Sequence, residues 1–60
     1  MKAVTTSKAF EQLEKGKKIR CVSWDEDEYI VFNSYGIMVE ESGRPLDITI
    51  EKDMSWFILD

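Results

Sequence analysis

Two hydrophobic periods meet at Gly16, and that junction constrains the fold more than any other feature of the chain. Before it, Ala9, Phe10 and Leu13 recur at the spacing of one helix face. After it, residues 17–24 alternate as a strand does. Ile19, Cys21 and Ser23 point one way, and Lys18, Arg20, Val22 and Trp24 the other. Glycine at such a junction supplies the left-handed residue that ends a helix. At the other end, Thr5, Thr6 and Ser7 carry oxygens able to accept from the first free backbone N–H groups. The helix predicted over residues 8–15 is shorter than the ~12–15 residues an isolated helix needs to persist. It must dock its apolar face on something.

The rest of the chain offers a sheet. Residues 25–27 form a polar turn, and Tyr29, Ile30, Val31 and Phe32 are strongly β-prone. Asn33, Ser34, Tyr35 and Gly36 have turn chemistry, and Ile37, Met38, Val39 and Glu40 continue as the second arm of a hairpin. Ser42, Gly43, Arg44 and Pro45 break the pattern. Residues 46–50 alternate again, with Leu46, Ile48 and Ile50 against Asp47 and Thr49. A turn or single helical turn follows at 51–53, and Ser55, Trp56, Phe57, Ile58 and Leu59 close the chain as a last strand. Ala3 and Val4 can pair as a stub of strand. The expected fold is α+β: one short N-terminal helix packed on a small antiparallel sheet of three to five strands. With 60 residues there is room for a single domain, 1–60, whose core is small.

Charge is unevenly spread. Residues 1–20 hold six Lys/Arg against two Glu, whereas residues 21–60 hold two Lys/Arg against ten Asp/Glu. A basic edge therefore sits on an acidic body, and the net charge of −4 also serves solubility. The edge suits a small anion or a phosphate; the acidic body repels duplex nucleic acid. The lone Cys21 allows no intrachain disulfide, which fits a reducing, cytosolic compartment. No apolar run approaches the ~18 residues of a membrane span, so no membrane partner is expected.

Candidate sites follow from these patterns. Lys15, Lys17, Lys18 and Arg20 crowd the helix end and the strand after it. Arg20 offers a planar fork for phosphate and the lysines offer point charges, although cations beside a helix C-terminus also serve the helix itself. Trp24 and Tyr29 flank the acidic residues 25–28 and could stack a base; alternatively Trp24 packs beneath the helix as the core anchor. Trp56 and Phe57 face opposite sides of the last strand, so at least one is a candidate for an oligomer interface. Seven aromatics in so short a chain make self-association a simple way to cover them. Residues 25–28 lack the glycine and ligand spacing of a calcium loop, and no metal-ligand set or Gly-rich phosphate loop is present. The chain has no histidine, and Cys21 has no partner base. A non-enzyme without cofactors is expected.

A set of positions matches a known pattern: Phe10, Leu13 and Gly16-Lys17-Lys18-Ile19, then Trp24 eight residues after the glycine, Tyr29-Ile30, and finally Asp53-Met54-Ser55-Trp56-Phe57-Ile58. In these the chain resembles a family of small bacteriophage proteins, the second Thoeris anti-defence family, whose members include a reported anti-CRISPR protein. The resemblance covers most of the chain. It implies a helix on an antiparallel sheet, homo-oligomers, and capture of cyclic-ADP-ribose-type immune signals in the host cytoplasm. Such signals are held between subunits and left uncleaved. The resemblance makes Gly16 and Trp24 markers of the fold and points ligand binding to Lys17, Lys18 and Arg20. With the stacking pair Trp24 and Tyr29 these are the expected ligand-binding residues, and Trp56 and Phe57, read from the strand alternation, are the expected interface. The family carries an arginine five residues after the glycine, where this chain has Cys21, and Arg20 stands one residue early. The acidic body keeps a second function open, an inhibitor that binds a host defence nuclease or effector by imitating nucleic acid.

Overall fold

The computed structural model describes residues 2–46 and 49–59. Its elements run β1 (Val4–Thr5), α1 (Thr6–Glu14), β2 (Lys18–Cys21), β3 (Ile30–Phe32), β4 (Met38–Glu40) and β5 (Ser55–Leu59). The strands form one five-stranded sheet in the order β1-β5-β2-β3-β4, with every neighbouring pair antiparallel. The last strand thus lies between the first two. This is the α+β architecture expected, a short helix packed on a small antiparallel sheet.

The helix starts at Thr6, two residues earlier than expected, so Thr6 and Ser7 are its first residues rather than caps, and it closes at the expected glycine. Thr5 is the N-cap, and its hydroxyl accepts from the Lys8 N–H at 3.2 Å. At the other end Gly16 adopts φ 93°, its N–H bonds the Leu13 carbonyl, and the Lys17 N–H bonds the Gln12 carbonyl. That pair of bonds is a Schellman closure. It satisfies two carbonyls of the last turn and sends the chain straight back into β2.

The core lies between α1 and one face of the sheet. Ala9 and Leu13 from the helix meet Ile19, Cys21, Ile30 and Trp56 from the strands, all buried. Register explains the grouping: Ile19 pairs with Ile58 and with Ile30, and Cys21 pairs with Trp56, so these residues share a face. Trp56 is the largest fully buried side chain. Phe10 meets it edge-on at 6.4 Å and Trp24 at 5.4 Å. Its indole N–H donates to Thr6 Oγ1 at 2.9 Å. The Thr6 hydroxyl in turn lies 2.9 Å from the Glu51 carbonyl, to which it can donate. One hydroxyl therefore joins the helix start, the loop before β5 and the core anchor.

Two expected strands differ. The alternation of residues 17–24 stops at Cys21, because Val22 and Ser23 enter a turn and the Trp24 N–H bonds the Cys21 carbonyl at 3.0 Å. The turn returns Trp24 to the helix side. Leu46, Thr49 and Ile50 are not in a strand, and positions 47 and 48 lie outside the described residues. Pro45 makes an isolated bridge to Val39 instead, and a proline cannot donate to continue a ladder.

Candidate functional site

The face of the sheet turned away from α1 carries the basic residues. Strand alternation in β2 sends Ile19 and Cys21 into the core and leaves Lys18 and Arg20 on the opposite side. Register then fixes their neighbours. Arg20 pairs with Phe57, and Lys18 pairs with Leu59. Val31 and Val39, paired across β3 and β4, lie on the same helix-free face.

Two cation–ring contacts organise this surface. The Arg20 guanidinium carbon lies 5.4 Å from the centre of the Phe57 ring. The Lys18 ammonium lies 4.7 Å from the centre of the Tyr29 ring. Each such contact is worth about 0.5–1 kcal/mol at an exposed site. Arg20 is further held by its Nη1, which donates to the Glu26 carbonyl at 2.9 Å. Its Nε is enclosed and has no acceptor, and is the one such side-chain atom among the described residues. The Tyr29 backbone N–H points at Glu41 Oε2, 3.4 Å away.

The expected ligand residues therefore separate into two groups. Lys18, Arg20 and Tyr29 come together on the helix-free face, with Lys17 exposed just ahead of them at the start of the same run. Trp24 does not join them: it is half-buried on the helix side, edge-on to Trp56. Of the two expected interface residues, Trp56 is fully enclosed in the core of a single chain, and Phe57 is half-buried on the opposite face. Phe57 also holds Arg20, a role not expected from the sequence. The alternation of the last strand already placed Phe57 opposite Trp56. What the sequence did not contain was the pairing of that strand with β2, which sets ring against guanidinium.

The acidic turn is separate. Residues 25–27 are exposed, Glu28 is half-buried, and the Asp25 N–H donates to Glu28 Oε1 at 3.2 Å. Among the described residues no cluster of His, Cys, Asp and Glu is arranged to hold a metal ion, and no helix is long and apolar enough to cross a membrane. Among the described residues no pocket is formed. The helix-free face brings together two cations and two rings. Compared with protein-family models, characterised proteins and solved structures, the chain matches none.

Proposed function

We propose that the chain is a non-enzymatic binding protein that captures a small cyclic nucleotide immune signal, of the cyclic-ADP-ribose type, and holds it uncleaved. On this reading it belongs with the phage anti-defence proteins whose sequence pattern it resembles, and it acts in the host cytoplasm. The observation that carries the reading is the juxtaposition of Lys18 with Tyr29 and Arg20 with Phe57 on the helix-free face. Cations meet phosphate oxygens, and aromatic faces meet a base.

The same surface favours binding over chemistry. No histidine exists to move protons, and the Cys21 thiol is buried on the other side of the sheet from the cations. A face without a pocket holds a small ligand tightly only once it is enclosed. A second copy closing over that face supplies the enclosure and covers Phe57, so the reading includes a homo-oligomer. The test is direct. The protein is incubated with the cyclic nucleotide, freed of unbound ligand and heat-denatured; intact nucleotide in the supernatant supports capture, and its absence counts against it.

A second reading is favoured by the exposed acidic turn at residues 25–27, which could occupy a basic groove on a host nuclease or effector. That complex would be stoichiometric and weakened by salt. A pull-down from host extract that yields no partner at low salt removes this alternative.

A further inference from the structure

The helix-free face is apolar around its two cations. Register and alternation put Val31, Val39, Phe57 and Leu59 on it, with Lys18 and Arg20 on the middle strand of the five. The strands bring no carboxylate to that side. Among the described strand residues Glu40 alone is acidic, and it pairs with the core residue Ile30 on the opposite face. The contacts of the two cations are with neutral groups: the Tyr29 ring for Lys18, and the Phe57 ring and the Glu26 carbonyl for Arg20. Glu41 stands at the margin, its Oε2 turned to the Tyr29 backbone N–H. A chain with twelve Asp and Glu thus collects two cations, and no strand carboxylate, on its one sheet face without a helix.

That pattern bears on how a second copy can cover the face. Stacked sheets lie about 10 Å apart, so two copies meeting face to face enclose both pairs of cations in one apolar layer. Like charges brought together this way repel, and taking them out of water adds to the cost. The apolar contact that opposes this is small. Five strands spaced about 4.8 Å apart, the longest of them five residues, make a face of about 20 by 15 Å. Two such faces bury on the order of 600 Å², about half of the ~1,200 Å² at which stable interfaces begin. Small area and uncompensated charge both hold the copies apart. An anion seated between them removes the second obstacle and adds contact area against the first.

We infer that assembly through the helix-free face is conditional on the ligand: Lys18 and Arg20 keep the free chains apart, and an anion that neutralises them pairs two copies around itself. This rests on the proposal that the face takes a nucleotide and adds how the oligomer is controlled. Ligand and partner then promote each other's binding by the same factor, as linkage requires.

Sedimentation equilibrium at low salt tests it, with and without cyclic ADP-ribose. The parent chain is expected to be a monomer alone and a dimer with the nucleotide, and its affinity for the nucleotide is expected to rise with protein concentration. A second arm needs no ligand. Replacing both cations, as in the Lys18→Gln/Arg20→Gln double variant, takes the net charge from −4 to −6, so a general effect of charge predicts weaker self-association. Local repulsion predicts the reverse, and the double variant is expected to associate at least tenfold more tightly than the parent. Lys8→Gln/Lys52→Gln removes the same charge from exposed positions on α1 and in the loop before β5, and is expected to bring no such gain. Thermal melts verify that each variant is folded. Lys18→Gln alone, at an exposed position, is expected to shift association in the same direction and serves if the double variant unfolds. A parent already dimeric without nucleotide, a nucleotide held by a single chain, or neutralised variants that associate no more tightly than the parent overturn the inference. A standing dimer that captures the nucleotide keeps the proposed function and loses this control. A chain that ignores the nucleotide while its neutralised variants associate keeps the repulsion and loses the function.

Discussion

Single residues decide both the stability of this chain and its surface chemistry. Trp56 is the clearest case: fully buried, contacted edge-on by Phe10 and Trp24, and bonded through its indole nitrogen to Thr6. Truncating it removes apolar burial and leaves the Thr6 hydroxyl without its donor. Trp56→Ala is expected to cost about 3–5 kcal/mol in urea denaturation, enough to unfold most of a 60-residue domain. Trp56→Phe fills much of the volume and loses the bond, so it is expected to remain folded with a lowered midpoint. Cys21 and Arg20 illustrate how strand alternation assigns roles: the Cys21 thiol is buried and pairs with Trp56, while Arg20, one residue earlier, lies on the other face.

At the scale of elements, the chain is a set of well-marked boundaries. Gly16 adopts φ 93°, and a Cβ placed there would meet nothing within 4 Å, so any cost of substitution is conformational rather than steric. Gly16→Ala is therefore expected to destabilise by about 1 kcal/mol, and Gly16→Asn by less, since asparagine tolerates the left-handed region. Equilibrium urea unfolding of the two variants side by side measures the difference. The hairpin between β3 and β4 is closed by another local device. Asn33 Oδ1 accepts from the N–H groups of Tyr35 at 2.9 Å and Ile37 at 3.0 Å, while the Asn33 N–H reaches the Ile37 carbonyl. Asn33→Ala removes the side-chain acceptor from both and is expected to cost about 1 kcal/mol. Faster amide exchange confined to residues 33–37 would locate the effect.

These boundaries were legible because they are local. The cap at Thr5, the stop at Gly16 and the hairpin turn at 33–36 each depend on residues within a few positions of one another. The length of β2 was not legible, since Val22 and Trp24 continue the alternation that the turn at Val22 interrupts. Nor was the sheet order. The insertion of β5 between β1 and β2 joins residues far apart in sequence, and no periodicity encodes it. The candidate site inherits both lessons. Lys18 and Arg20 could be read as one face of a strand, but Trp24 was read onto that face and lies on the other. The Phe57 ring, which the strand order brings to Arg20, had no signal linking it to that guanidinium.

On the scale of the whole molecule, one face of the sheet is spent on the core and the other carries the cations. The helix covers the first; a ligand and a second copy are proposed to cover the other. Because the proposed attraction to a ligand rests on surface cations of a chain with net charge −4, it is expected to be sensitive to ionic strength. Raising salt from about 0.01 to about 0.15 M shortens the screening length from about 30 to about 8 Å. Retention of an anionic ligand is expected to fall over that range, while the urea midpoint of the unliganded protein changes little.

Native mass spectrometry of the protein, purified from cells that produce the cyclic nucleotide signal, tests the proposed capture most directly. The predicted result is an oligomer whose mass exceeds a whole number of chains by the intact nucleotide, which is released unchanged on denaturation. Bare chains, or chains accompanied only by a cleaved product, would contradict it.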